Sequence, residues 1–201
     1  MFALLVRGVH LSYTRRVSYA LILVMLAGPL SAADEARRDN GALALIRFPW
    51  EQLHYAIVFA PPRPGLRAMI FPSAHRIEIY ARPADDSRRV AYDIAHELGH
   101  AIDMTFNTEA TRRTWMTLRG INPETPWFGC DRCSDYNTPA GDFAETFAFL
   151  LLGPGHFSGR IAPPPRLEQL PALRAFLHLT DEDGQPAIAR GLSPVCRSAR
   201  C

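Results

Sequence analysis

The stretch DDSRRVAYDIAHELGHAIDMTF, residues 85–106, decides how the rest of the chain is interpreted. Its apolar side chains recur at helical intervals and form one predicted buried face: Val90, Ile94, Leu98 and Ile102. Polar residues at its start supply candidate N-caps, so we predict a helix that ends at about Phe106. Gly99 and Ala101 are small and predict close packing against this helix.

Three residues of this helix carry the chemistry. His96 and His100 are four positions apart, so both imidazoles lie on one face, one turn apart. In that arrangement they can bind one ion at the zinc–nitrogen distance of about 2.0–2.1 Å. Glu97 follows the first histidine, where its carboxylate can take a proton from metal-bound water. The motif therefore predicts a zinc-dependent hydrolase site, with two histidine ligands and Glu97 as the catalytic base.

A catalytic zinc site needs a third protein ligand. A second predicted helix, Pro139–Leu152, carries two acids, Asp142 and Glu145, in an apolar setting. Its small residues Ala144 and Ala148 form a stripe that can pack on the first helix. Glu145 lies about 100° from Ala144 around the helix and Asp142 about 160° away, so Glu145 is the preferred ligand. Asp142 is the alternative ligand, a neighbour of a ligand, or a residue that caps its own helix.

The remaining sequence indicates an α+β fold, because strands are followed by helices. We predict a small mixed β-sheet packed beside the histidine-bearing helix and the acid-bearing helix. Prolines separate the predicted strands, which are Leu43–Phe48, Tyr55–Ala60, Arg67–Phe71 and His75–Ala81. Further helices are predicted at Thr108–Leu118 and around Glu168–Leu179.

Two motifs together resemble the gluzincin metallopeptidases, and most closely the small groups related to the anthrax lethal factor peptidase domain. They are His96–His100 followed by Ala101-Ile102-Asp103, and the later DFAETFA at residues 142–148. The resemblance covers roughly residues 88–154. It implies a zincin-like fold, Zn²⁺ as cofactor, and a peptide or protein substrate bound along the edge strand of the sheet. His96 and His100 become zinc ligands and Glu97 the general base.

One position departs from that pattern: Gly141 stands where the resemblance implies a ligand glutamate. When the chain is aligned on that pattern, Glu145 corresponds to an acid that neighbours the ligands. The third zinc ligand would then be Asp142, or Glu145 itself. Tyr136 resembles the tyrosine that steadies the tetrahedral oxyanion in such enzymes, with a plain loop aromatic as the alternative. Asp103 can accept a hydrogen bond from a ligand imidazole, or be an ordinary surface acid.

The strand His75–Ala81 precedes the histidine-bearing helix. As an edge strand it could pair with an extended peptide, whereas an ordinary sheet strand explains the pattern equally well.

Residues 1–33 are predicted to be a signal peptide. Arg15 and Arg16 precede an apolar run, Val17–Leu30, and small residues follow it. The run of about 14 residues is short for a membrane span, which needs roughly 20, although an N-terminal membrane anchor is the alternative. Cleavage after Ala33 leaves a single domain at 34–201 and implies a periplasmic or secreted protein.

Removal of that segment changes the charge. It contains three arginines and no acid, so the formal net charge of +2 becomes −1. The sequence therefore predicts neither a nucleic-acid partner nor, once the signal is cleaved, a membrane partner.

All four cysteines lie in the predicted exported part: Cys130, Cys133, Cys196 and Cys201. An even number in an exported chain favours two disulfides, in any of three pairings. Half of a structural zinc site or a redox pair at Cys130 and Cys133 are the alternatives.

The predicted function is thus an exported zinc metallopeptidase. The alternative is a non-catalytic protein that uses a degenerate peptidase fold to bind zinc or a partner, which the departure at Gly141 favours.

Overall fold

The computed structural model describes residues 31–129 and 134–179 of the 201-residue chain. This part contains five helices and a three-stranded mixed sheet, which confirms the α+β prediction. The helices are α1 (Ala32–Leu45), α2 (Ser87–Phe106), α3 (Glu109–Arg119), α4 (Pro139–Leu152) and α5 (Leu170–Phe176). The strands are β1 (Ala56–Phe59), β2 (Ala68–Phe71) and β3 (Arg76–Ile79).

The sheet has the order β1–β3–β2, with β1 parallel and β2 antiparallel to β3. Ile77 of β3 pairs with Ile57 on one side and with Ile70 on the other. Of the two interpretations of His75–Ala81, the edge strand is therefore wrong and the ordinary sheet strand is confirmed, because β3 is the central strand. Ile77 and Ile79 are fully buried, as a central strand requires. Strand β2 occupies the edge that lies against α2.

The predicted first strand, Leu43–Phe48, is also wrong. Helix α1 continues through Leu45, and the chain leaves the helix only at Ile46. Ala42 is fully buried where α1 packs on α2, so tertiary packing extends the helix into this stretch. A short apolar run does not by itself distinguish a strand from a buried helical turn.

The helix starts follow local side-chain chemistry, as predicted. The side chain of Asp86 accepts a hydrogen bond from the backbone N–H of Arg89 at the start of α2. Thr138 caps α4 by accepting from the N–H of Gly141, with Pro139 in the first turn. The caps fix where the two site-bearing helices begin.

Helix α2 lies at the centre of the fold. All of its residues from Val90 to Asp103 are buried, because α1, the sheet and α4 surround it. A β-carbon added to Gly99 would lie 2.6 Å from the α-carbon of Ala144, so the backbones of α2 and α4 touch here. This close approach confirms the predicted packing of small residues and brings the two motifs together.

Some predictions concern residues outside the described ranges. They are residues 1–30 of the proposed signal peptide and the four cysteines, Cys130, Cys133, Cys196 and Cys201. Among the helices of residues 31–129 and 134–179, none combines the length and apolar character needed to span a membrane.

Candidate metal centre

Three side chains converge at the surface of α2. The Nε2 atoms of His96 and His100 lie 3.2 Å apart. The Oδ2 atom of Asp135 lies 2.8 Å from the first of these nitrogens and 3.0 Å from the second. Both histidines are buried and Asp135 is partly exposed, so the cluster lies at the base of an accessible surface.

The spacing of these atoms fits a bound metal ion. A tetrahedral ion with ligand bonds of about 2.0–2.1 Å holds its ligand atoms roughly 3.3 Å apart. The observed separations of 2.8, 3.0 and 3.2 Å are close to that value. Two imidazoles and one carboxylate are also donors that first-row metal ions accept together. The cluster can therefore hold a metal ion.

Burial and neighbouring charged groups have opposite effects on the pKa values of His96 and Asp135. Burial would lower the pKa of His96, but the carboxylates of Asp135 and Glu145 outweigh that effect and raise it to about 10. Burial would likewise raise the pKa of Asp135, yet hydrogen bonds to both histidines lower it. The cluster thus attracts positive charge strongly, which a metal cation or a proton on His96 can supply.

Asp135 reaches the histidines because a short 3₁₀ turn, Asp135–Asn137, lies directly on the first turn of α4. The backbone N–H and the hydroxyl of Thr138 both donate to the carbonyl oxygen of Asp135, each at 2.7 Å. A β-carbon at Gly141 would lie only 2.0 Å from that same oxygen. Any side chain at 141 would therefore push this turn away from the histidines.

The acid that the structure groups with the two histidines is not one of the two predicted as third ligand. Neither Glu145 nor Asp142 completes the cluster with His96 and His100; Asp135 does. The helical periodicity that was used to choose between Glu145 and Asp142 does not apply to Asp135, because Asp135 precedes α4. The sequence carried one signal for it: a glycine at the implied ligand position, with an acid six residues earlier.

Asp142 points away from the histidines. It is fully buried, and its two carboxylate oxygens accept hydrogen bonds of 2.8 Å from Arg119 Nε and Nη2. The indole N–H of Trp115 donates to it at 3.0 Å. Asp142 therefore links α4 to α3 and is not positioned as a ligand.

Glu145 contacts His96 but is not one of the three residues of the cluster. Its Oε1 atom lies 2.8 Å from Nδ1 of His96, and its Oε2 atom accepts a hydrogen bond of 2.6 Å from the N–H of Ser158. A carboxylate at Nδ1 keeps the proton on that nitrogen and leaves Nε2 free to bind a metal. Glu145 thus orients His96, and a proton held between Glu145 and Nδ1 would leave Nε2 available to a metal.

Glu97 borders the cluster and lines the same cleft. It is 7% exposed and makes no side-chain hydrogen bond to any other residue in the described ranges. Burial raises its pKa, although the two histidines work in the opposite direction. A carboxylate that is desolvated and free accepts a proton readily.

Tyr136 stands on the other side of His96. The two rings are 5.6 Å apart and nearly perpendicular, and the tyrosine hydroxyl makes no hydrogen bond within the described residues. Burial and the nearby carboxylates raise the pKa of Tyr136 to about 12. Its hydroxyl is therefore protonated at neutral pH and can donate a hydrogen bond.

The cluster opens into a cleft of about 810 Å³. Strand β2 and the residues before it form one wall, and α2 forms the floor. No described strand pairs with the outer edge of β2, since its only partner is β3. The cleft therefore joins a cluster that could hold a metal ion with a carboxylate, a phenol and a strand edge that have no hydrogen-bonding partner among the described residues.

Asp103 contacts neither His96 nor His100 and does not lie at the surface, so neither of its two predicted roles is found. It is fully buried and accepts hydrogen bonds from Arg112, from Asn107 and from the indole N–H of Trp127. Its hydrogen-bond partners follow from its buried position next to Arg112 and not from helical spacing. Asp103 anchors α3 and the loop at Trp127 to α2.

Comparison with protein-family models, with curated protein sequences and with solved structures finds no match to this chain. The gluzincin resemblance is therefore carried by the motifs quoted above, and it stays a prediction.

Proposed function

We propose that this chain is an exported zinc metallopeptidase that hydrolyses peptide bonds on a zincin-like fold. The observation that carries the proposal is the convergence of His96, His100 and Asp135 on one point beside the free carboxylate of Glu97. Each of these groups has a role in metal-assisted hydrolysis, and all of them line the same cleft.

Zinc is the proposed metal because two imidazoles and one carboxylate leave one open position in a tetrahedral site. When bound, the ion would supply a water molecule of lowered pKa and polarise the substrate carbonyl. Glu145 holds His96 with Nε2 directed towards the ion, which makes that nitrogen a better ligand.

Glu97 acts as the general base in this proposal. Its carboxylate accepts a proton from the attacking water and then donates it to the amine that leaves. Burial raises the pKa of Glu97, which brings it closer to neutral pH and suits both transfers. Tyr136 donates a hydrogen bond to the oxygen of the former carbonyl, because its hydroxyl is free and protonated.

The open edge of β2 supports a peptide as the substrate class. An extended peptide can add to that edge through backbone hydrogen bonds, which directs its carbonyl groups along the cleft. The residues of β2 from Ala68 to Ile70 line the cleft directly.

Export is part of the proposal, with residues 1–33 as signal peptide and a mature domain, 34–201, that carries two disulfides. Helix α1 begins at Ala32 with Ser31 as its cap. Cleavage after Ala33 would remove this cap and leave the buried Ala42 within the mature helix. Intact-mass analysis of the exported protein checks the cleavage site and disulfide number, and an uncleaved exported chain would contradict this part.

The alternative is a non-catalytic metal-binding protein, which Gly141 at the implied ligand position favours. Asp135 offers a carboxylate to the same histidines, which suits metal binding in both cases, whereas Glu97 in the same cleft favours the enzyme. Turnover separates the two: the enzyme cleaves peptides, whereas the alternative binds zinc without cleavage.

The direct experiment measures zinc and peptide hydrolysis on the purified mature protein. We expect about one zinc per chain and cleavage of an unstructured protein substrate. Glu97→Gln should keep the zinc and lose activity by at least about a hundredfold, whereas Glu124→Gln, an exposed surface change, should alter neither. A zinc content below about a tenth of an equivalent, or unchanged proteolysis in Glu97→Gln, contradicts the proposal.

A further inference from the structure

The segment that follows α4, residues 153–160, returns to the candidate metal centre and is called the return segment below. Two of its backbone N–H groups donate into the centre. The N–H of Ser158 donates to Oε2 of Glu145 at 2.6 Å, and the N–H of Arg160 donates to the carbonyl oxygen of Tyr136 at 2.8 Å. The return segment therefore contacts two elements of the centre: the acid of α4 behind the first histidine, and the 3₁₀ turn that carries the third member of the cluster.

The contact at Glu145 is short and joins a charged acceptor to a backbone donor. Glu145 is buried, with Oε1 at 2.8 Å from Nδ1 of His96 and Oε2 at 2.6 Å from the N–H of Ser158. The hydroxyl of Tyr92 lies 3.5 Å from Oε2, which is a longer and weaker contact. Because a backbone N–H is fixed by the chain on both sides, it holds the carboxylate in the orientation in which Oε1 meets His96.

The turn that carries Asp135 is held by two elements. The N–H and the hydroxyl of Thr138, at the start of α4, donate to the carbonyl oxygen of Asp135. The N–H of Arg160, in the return segment, donates to the carbonyl oxygen of the next residue, Tyr136. Two consecutive carbonyl groups of the turn are thus hydrogen-bonded, which limits the rotation of the backbone from which the Asp135 side chain projects.

The return segment is itself ordered by contacts with both site-bearing helices. The ring of Phe157 packs edge-on against Phe149 of α4, with the ring centres 6.1 Å apart. The ring of His156 packs in the same manner against Tyr92 of α2, at 5.6 Å. The hydroxyl of Ser158 donates to the carbonyl oxygen of His156 at 3.1 Å. The two N–H donors are therefore already in place, so little further ordering is needed when the centre takes up an ion.

We propose that the return segment positions the metal centre. The N–H of Ser158 holds Glu145 in contact with His96. The N–H of Arg160 holds the turn that carries Asp135. Loss of a group that orients a metal ligand typically lowers metal affinity by about 10–100-fold. The inference rests on the metal-binding part of the proposed function and does not require peptide hydrolysis.

Proline substitution tests each donor directly, because proline has no backbone N–H. Ser158→Pro and Arg160→Pro in the mature protein should each lower zinc affinity by at least about tenfold, as measured by competition with a chromogenic chelator. Ser158→Ala and Arg160→Ala retain the N–H and are the matched variants, which should bind zinc as the wild type does. Equal zinc affinity in the proline and alanine variants overturns the inference and leaves the zinc site and the proposed function standing.

A double-mutant cycle separates positioning through Glu145 from a general loss of structure. In a Glu145→Ala background, Ser158→Pro should lower zinc affinity by less than about twofold, because the carboxylate that it acts through is gone. A loss of about tenfold in both backgrounds overturns the inference.

Hydrogen exchange of the wild-type protein keeps the test independent of whether the proline variants fold. Coupling is reciprocal, so a contact that favours zinc binding is favoured by zinc in turn. We expect the amide protons of Ser158 and Arg160 to exchange at least about tenfold more slowly with zinc than without it. The amide of Leu177, which donates to the carbonyl of Leu173 in α5, is the internal control. Slowing at Ser158 and Arg160 that is no greater than the slowing at Leu177 overturns the inference.

Discussion

The carbonyl oxygen of Asp135 lies 2.0 Å from the point that a β-carbon on Gly141 would occupy. Because Gly141 has no side chain, the turn that begins at Asp135 can pack directly on α4. Asp135 is the third member of the candidate metal cluster. On the gluzincin resemblance, the ligand glutamate would stand at position 141 itself. In this chain a carboxylate from the preceding turn lies beside the two histidines instead, and position 141 leaves space for the backbone of that turn.

The contact at Gly141 predicts that Gly141→Ala lowers zinc affinity. The added methyl group forces the Asp135 turn outward, so one ligand moves away from the histidines. We expect zinc affinity to fall by at least about tenfold, as measured by competition with a chromogenic chelator. Thr146→Val, in the same helix, is the matched control. Unchanged zinc affinity in a folded Gly141→Ala protein would show that the space at Gly141 does not determine the position of Asp135.

Thr146→Val is itself expected to stabilise the protein. The hydroxyl of Thr146 is fully buried and has no hydrogen-bond partner among the described residues. An apolar group of the same shape removes that desolvation cost, so the free energy of unfolding should rise by about 1 kcal/mol. Urea denaturation of both proteins measures the difference. A loss of stability would indicate that the hydroxyl has a partner.

The two acids of α4 should behave differently when substituted. Asp142→Asn breaks a buried pair with Arg119 and should lower the free energy of unfolding by about 3–5 kcal/mol, with little effect on zinc affinity. Glu145→Gln weakens the hold on His96 and should reduce zinc affinity by about 10–100-fold. Denaturation and zinc titration of each variant check these outcomes, and the reverse pattern would restore Asp142 as a ligand candidate.

Stability should depend on pH through Asp85. Burial would raise its pKa, but the N–H of Arg82 and the guanidinium of Arg67 together lower it below its usual value near 3.8. Because the folded pKa is the lower one, the stabilisation is present above about pH 4 and is lost as the pH falls.

Asp85→Asn should therefore flatten the fall in stability between about pH 5 and pH 2. Urea denaturation at a series of pH values measures the effect, with Glu124→Gln as an exposed control. A pH profile identical to that of the wild type would show that this ion pair is not formed in solution.

Local patterns predicted most of the helical framework. Asp86 and Thr138 cap their helices through contacts within four residues, so the sequence near each start contains the information. The same holds for His96 and His100, whose shared face follows from helical geometry alone.

Features set by long-range contacts were not predictable in this way. The apolar run Leu43–Phe48 fits a strand and a helical turn equally well, and the packing of α1 on α2 decides between them. Asp135 lies in an irregular stretch, and its position depends on the backbone passing over Gly141, which no local rule describes.

The most direct test of the central claim is a zinc-edge anomalous diffraction map of crystals grown with zinc. The account predicts one strong peak within about 2.0–2.2 Å of the Nε2 atoms of His96 and His100 and of a carboxylate oxygen of Asp135. A peak coordinated by Glu145 or Asp142 in place of Asp135, or the absence of a peak between the histidines, would contradict it.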